Sequence, residues 1–343
     1  MMQKQIEITK ATKLLTKEGN LTKPGWCRRN LYEYNRQDIS APSRRIKEWD
    51  FYQLGNDRYA VQICFANISI GAGASAKLIN LKTGKTYSSG STALFTKNRY
   101  RLPENGDIPH SFSYQGGGIL LSFDVDERNR ILRFEDNAGE QPFLMEFNLE
   151  MMENHQSITT ATPFEQKGRF FYTNKINCMP ACGKAIIGDE VFEFSNEDTF
   201  GVLDWGRGVW PYKNTWYWGN GSTRIDGKLF GFEITWGFGD DSNATATALF
   251  YDGVCHKIGA VNVEVCPVGR WMESWAFKSE DGRFNLTMTP FYDNATGIKV
   301  LGLIGTNCHQ VHGYWNGTVV LDDGTVLEIK DMYAFCERME TLW

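Results

Sequence analysis

The feature that most constrains this chain is a repeat of its own strand pattern. Tyr59, Val61, Ile63 and Phe65 alternate with Ala60, Gln62, Cys64 and Ala66. That is the period-two signature of a strand with one buried face. Shifted by 171 positions, residues 59–65 fall on 230–236, and residues 74–80 then fall on 245–251 without a gap. At a shift of 165, residues 110–123 fall on 275–288; near 134 or 135, residues 183–200 parallel 317–335. The blocks keep their order, which points to an internal duplication.

The repeated material reads as β throughout. Ile119, Leu121, Phe123 and Val125 alternate, as do Phe230, Phe232, Ile234 and Trp236. Turn pairs such as Asn56-Asp57, Thr83-Gly84 and Asp323-Gly324 separate the runs, and no long helical period intervenes. Two many-stranded antiparallel copies fit two up-and-down barrels or strongly curved sheets, and closing a barrel removes exposed sheet edges. The expected organisation is an N-terminal arm over 1–48, a first barrel over 49–200 and a second over 201–343. About eight strands leave room inside a barrel for one small ligand.

Composition narrows the partners. With 343 residues, 22% charged and a net charge of −5, the chain has no basic run that could track a phosphate backbone. Nucleic acid is therefore not expected. The first residues lack the apolar run of a secretory signal, and nowhere do eighteen apolar residues follow one another. No transmembrane segment is expected. Eight cysteines without an export signal read as reduced thiols in a cytoplasmic protein.

One stretch stands apart in chemistry. Asp204-Trp205-Gly206-Arg207-Gly208-Val209-Trp210-Pro211-Tyr212 is followed by Trp216-Tyr217-Trp218 at the junction of the two copies, and nine of the eleven tryptophans follow residue 200. On an extended strand Asp204, Gly206, Gly208 and Trp210 face one way, and Trp205, Arg207 and Val209 the other. Trp216 and Trp218 share one face of the next strand. Two arrangements fit. One is an aromatic-walled chamber in the second barrel, lined by Trp205, Arg207, Trp210, Tyr212, Trp216, Trp218, Glu233 and Trp236. The other is a core sealed by stacked indoles, with an Asp204–Arg207 salt bridge. A carboxylate in such a pocket, Asp204 or Glu233, would have its pKa raised by desolvation and could act as a general acid without a cofactor.

The chain resembles a known family at Leu14-Leu15-Thr16-Lys17-Glu18-Gly19, Gly25-Trp26-Cys27-Arg28, Tyr34-Asn35-Arg36, Asn177-Cys178-Met179-Pro180-Ala181, Gly237-Phe238-Gly239-Asp240, His256-Lys257 and the close from Glu337 to Trp343. With the tryptophan-rich stretch, these are similar to a bacterial family known as domain of unknown function 2804. That family is distantly similar to tandem lipocalin-like proteins of the carotenoid hydratase and tocopherol cyclase type. The resemblance implies two lipocalin-like barrels and no organic cofactor, and it carries no activity. A Glu-Asn pair expected in the family's strand is replaced here by Ala246-Thr247.

Other constellations point to packing. Cys308-His309-Gln310-Val311-His312 places its histidines on opposite faces of a strand, so they could not chelate one metal together, and no metal site is expected. Ser69-Ile70-Gly71-Ala72-Gly73 has the spacing of a nucleophile elbow but no helix follows, so it reads as a loop. No phosphate loop or dinucleotide fingerprint occurs. The functional expectation is binding of an apolar or amphipathic small molecule in the second barrel. The alternatives are a cofactor-free lyase, hydratase or cyclase with Asp204 as general acid, and a structural protein with solid cores.

Overall fold

Alternation of apolar and polar residues builds nearly the whole chain into antiparallel sheet. The computed structural model describes residues 5–343 except 69, 97, 98, 266, 267, 301 and 303. An arm carries β1 (Thr12–Lys13), β2 (Gly25–Cys27), β3 (Tyr32–Glu33) and two 3-10 turns, Arg36–Asp38 and Ser43–Arg45. The first unit follows with β4 (Lys47–Gly55), β5 (Tyr59–Asn67), β6 (Gly71–Asn80), β7 (Thr86–Leu94), β8 (His110–Gly116) and β9 (Ile119–Val125). It continues with β10 (Asn129–Asp136), β11 (Phe143–Glu150), β12 (Ile158–Pro163), β13 (Phe170–Ile187), β14 (Glu190–Phe194) and β15 (Phe200–Val209). The second unit has β16 (Lys213–Ile225), β17 (Lys228–Trp236), β18 (Ala246–Tyr251), β19 (Val254–Lys257) and β20 (Val261–Val265). It ends with β21 (Trp275–Ser279), β22 (Phe284–Val300), β23 (Ile304–Val320) and β24 (Val326–Leu342).

The first sheet runs β7-β6-β5-β4-β15-β13-β11-β10-β9-β8. Its two edge strands meet where the Ser91 hydroxyl donates to the Gly116 carbonyl at 2.7 Å and lies 2.8 Å from the Tyr114 hydroxyl. The second sheet runs β19-β18-β17-β16-β24-β23-β22-β21-β20 and forms a half-barrel. In each sheet the first strand pairs with the last, β4 with β15 and β16 with β24. The all-β expectation holds, and so does the pair of curled antiparallel sheets. Among the described residues no α-helix occurs.

The junction falls later than residue 200. Phe200–Val209 is hydrogen-bonded between β13 and β4 and completes the first sheet. The chain changes sheets over Trp210-Pro211-Tyr212, so the tryptophan-rich stretch is divided between the two units. The arm touches both: Ile6 N–H donates to the Asn243 carbonyl at 2.8 Å, while β2 pairs with β12.

Strand order tests the repeat directly. The shift of 171 sets β5 on β17 and β6 on β18, which occupy the same places in their sheets. The last block sets Gly183 on Gly317, and both take a left-handed φ, 146° and 140°. The middle block is displaced by one hairpin. It matches β8–β9 to β21–β22, whereas counting inward from the last strand sets β21–β22 opposite β10–β11. Along this order the first sheet has ten strands to the second's nine, with β2, β12 and β14 paired off the path, and alternation alone does not distinguish neighbouring hairpins. The motif at Gly71 to Gly73 opens β6 instead of a loop, and Ser69 lies outside the described residues.

Each unit has its own core. Phe65, Phe123, Phe134, Met145 and Trp205 are fully buried in the first. Phe232, Trp275, Phe277, Phe284 and Trp315 fill the second, with Trp315 4.4 Å from Phe277 and 4.8 Å from Phe232 between ring centroids. Each such ring pair contributes roughly 0.5–1.5 kcal/mol beyond area burial. The indoles Trp275 and Trp315 therefore pack the second barrel where the chamber reading would leave space.

Candidate functional site: the seam between the sheets

The outer faces of the two sheets pack on each other, and polar groups meet there. On β13 and β15, antiparallel register sets Lys175 opposite Asp204, and their side chains form an ion pair at 2.7 Å. Lys175 is 3% exposed, and its ammonium sits 4.3 Å from the centroid of Trp218 on β16. Glu233 of β17 is wholly buried and accepts from Trp218 Nε1 at 2.9 Å, Asn220 Nδ2 at 3.1 Å and the Thr235 hydroxyl at 2.7 Å. Asn220 also donates to Asn177 of the first sheet.

A second polar line crosses beside it. Gln62 Nε2 donates to Gln310 Oε1 at 2.8 Å, and Gln310 Nε2 donates to Gln53 Oε1 at 3.0 Å and to Glu337 Oε2 at 3.2 Å. Three carboxylates thus share one lysine. Burial pushes Glu233 up to about 7, against the pull of Lys175 and of hydrogen bonds from Trp218, Thr235 and Asn220. Burial also pushes Glu337 up to about 7, reinforced by the charge of Asp204 and opposed by Lys175, Gln310 and Trp216. A cleft of about 30 Å³ lined by Gln53, Asn220, Ser222 and Tyr333 adjoins these groups. It is water-sized.

Toward the junction the seam becomes aromatic. Trp210 lies 5.1 Å from Trp49, 5.8 Å from Phe171, 5.5 Å from Phe238 and 5.7 Å from Trp343, and Trp216 lies 4.7 Å from Phe238. Outside this cluster an open hollow of about 430 Å³ is lined by Phe164, Glu165, Gln166, Pro211, Lys213, Asn214, Thr215, Gly237, Gly239 and Asp240. Phe164 reaches the cluster through Phe238 at 5.4 Å. The hollow's volume lies in the range of small-molecule sites.

The nine residues singled out in the sequence do not share one chamber. The alternation along β15 is as expected, and it sends Trp205 and Arg207 into the first barrel. There Trp205 packs edge-on to Tyr34 and Tyr172, and the Arg207 guanidinium lies 4.0 Å from its centroid. Arg207 pairs with Asp50 at 2.7 Å, so the expected Asp204–Arg207 bridge is replaced by two separate pairs on opposite faces of β15. Asp204, Trp210, Trp216, Trp218 and Glu233 meet in the seam. Trp236 stacks on Tyr217 at 4.8 Å on the inner face of the second sheet, and Tyr212 is exposed at the junction turn. His309 pairs with Asp293 and stacks on Trp271, while His312 faces Tyr333 on the other face of β23.

Lys175, Glu337, Gln53, Gln62 and Gln310 went unrecognised in the sequence. The repeat held a signal for one pair: Gln62 and Glu233 are 171 residues apart, and both are polar positions between core residues. Both prove to face the seam.

Two curled antiparallel sheets, a barrel and a half-barrel joined through a buried polar and aromatic seam, define a tandem barrel-type all-β protein. The chain belongs to the family described as a domain of unknown function, DUF2804, whose model matches residues 5–343. Among solved structures it is similar to kievitone hydratase from Nectria haematococca, with a TM-score of 0.48 and 11% identity over 96% of this chain and 98% of that one. It is also similar to a protein from Nitrosomonas europaea provisionally assigned as an AttH, with a TM-score of 0.46 and 12% identity over 89% of this chain and 96% of that one. No curated protein matches the chain in sequence.

Proposed function

We propose that the protein binds an apolar or amphipathic small molecule, and that the site is the hollow at the junction end of the seam instead of the interior of the second barrel. The observation that carries this is the open volume of about 430 Å³ set against the Trp210, Trp216 and Phe238 rings. Phe164 and Pro211 supply the apolar part of the wall, with the Trp210, Trp216 and Phe238 cluster packed behind it, and Glu165, Lys213, Asn214 and Asp240 supply a polar rim that would orient a ligand with one wet end. Of the residues read from the sequence, Trp210 and Trp216 back this site, and Tyr212 stands beside it on the same turn. Mass spectrometry of small molecules extracted from the purified protein tests the reading. A retained molecule that is lost on Gln166→Trp, which fills the hollow from its exposed loop, supports it.

A second reading is favoured by the two buried glutamates. A carboxyl group with a pKa near neutrality can hold a proton at working pH and deliver it, as a cofactor-free hydratase, lyase or cyclase requires. In this reading Glu233 is the better donor, because Asp204 is already committed to Lys175 at 2.7 Å. Turnover of the retained molecule by the parent, abolished in Glu233→Gln with binding intact, is the expected result. An unchanged rate in both Glu233→Gln and Asp204→Asn ends this reading.

A further inference from the structure

The strand pairings set many chain turns at one end of the molecule. At the junction, Gly208 pairs with Lys47 and Lys213 with Leu342. From there, Glu48 pairs with Asn67, Asn67 with Ala72 and Gly71 with Leu94, which brings Ile70, Leu94 and Phe95 to the junction end of the first barrel. In the second, Leu342 pairs with Gly305 and Val300 with Ile304, so Ile298 and Val300 arrive at the same end. Strands β15 and β16 leave this end side by side, since Asp204 and Trp218 meet through Lys175 and, further along, Asn177 meets Asn220.

These turns expose large apolar side chains. Phe95 is 80% exposed, Ile298 67% and Leu94 66%. Phe95 also holds a left-handed backbone, φ 55°, which disfavours bulky residues and here turns its ring to solvent. Among the described residues, the turns of the opposite end expose Val191, Val254 and Val326, while Ile108, Ile131, Val268 and Met272 are exposed on other strands and turns. Charge follows the same polarity. Arg44, Arg45, Arg99, Arg101, Lys213 and Lys299 are exposed at the junction end, against Asp38, Glu104, Glu165 and Asp240. Among the described residues, Arg44, Arg45, Arg99, Arg101 and Lys299 form no ion pair. Exposed cations elsewhere, such as Arg58, Lys82, Lys85 and Lys228, are paired with acids, so the unpaired ones named here sit beside the exposed apolar tips of a chain whose net charge is −5.

We infer that the junction end docks on an anionic lipid surface, its apolar tips entering the interface and its arginines and lysines meeting the headgroups. Isolated exposed apolar residues are ordinary, but their clustering on several turns at one cationic end matches an interfacial anchor. Cations near such a surface are drawn to its negative potential, an attraction that salt screens. The hollow described above opens near this end, and the docking argument does not depend on it.

Co-sedimentation of the full chain with phosphatidylcholine vesicles, and with vesicles containing added phosphatidylglycerol, tests the inference. Binding is expected only to the anionic vesicles and should weaken at high salt. A Phe95→Asp and Ile298→Asp double variant should lower the bound fraction about tenfold. Val326→Asp, at the far end, should bind like the parent, and unchanged thermal unfolding of both variants confirms their folds. Equal binding to neutral vesicles, no binding at all, or an equal loss in Val326→Asp overturns the inference. So does light scattering that shows a dimer dissociated by Phe95→Asp, which would make this end a contact between copies.

Discussion

Glu233 and Glu337 are buried carboxyls whose protons are favoured by the fold, and this has a definite sign. Each has a folded pKa of about 7 against an ordinary 4.5, so the folded chain holds more protons than the unfolded chain between those values. Stability from the seam is then greatest below about 4.5, falls as pH rises toward 7 and is flat above it. The loss is on the order of a few kcal/mol for the two together. Urea titrations from pH 4.5 to 8 should show that decline. Glu233→Gln with Glu337→Gln should flatten it and raise stability at pH 8; an unaltered slope would reject this account of the seam. Lys175 is the complementary case. Lys175→Met strands the Asp204 carboxylate in the seam and should cost roughly 3–5 kcal/mol, of which Lys175→Met with Asp204→Leu recovers most. A double variant no better than the single would contradict that.

At the level of elements, two glycines let paired strands approach closely. Gly183 and Gly317 occupy corresponding places on β13 and β23, and a Cβ on either would lie 2.1 Å or 2.2 Å from the carbonyl oxygen of Glu146 or Asn285 on the paired strand. Alanine at either should destabilise by more than about 2 kcal/mol, since both backbone angle and space forbid it. Equilibrium unfolding of the two variants checks this, and a neutral Gly317→Ala would show that β22 and β23 can move apart there. Strands were the most legible part of the sequence, because side-chain alternation follows from strand geometry itself. The facing of Asp204 and Trp205 on β15 came from that rule alone. Register between strands was less legible: the pairing of Lys175 with Asp204 spans 29 positions and depends on a bulge between Ile176 and Met179, which no local pattern reveals.

For the whole molecule, the duplication was readable but its use was not. Alternation says that one face of β5 and β17 is buried in a core. It does not say that the other faces, bearing Gln62 and Glu233, would both be turned into the seam, Gln62 against Gln310 of β23 and β17 against β13. The aromatic excess of the second copy suggested a chamber within it; most of those rings instead pack the second core, as Trp275 and Trp315 do, or build the seam, as Trp210, Trp216 and Trp218 do. A ligand site at the junction end accounts for the open volume that remains beside them. The most direct test is native mass spectrometry of the purified chain with its extracted small molecules, comparing parent, Gln166→Trp and Trp315→Phe. The account predicts one apolar or amphipathic molecule retained by the parent and by Trp315→Phe and absent from Gln166→Trp. Retention that survives Gln166→Trp but is lost in a folded Trp315→Phe would place the ligand inside the second barrel and contradict it.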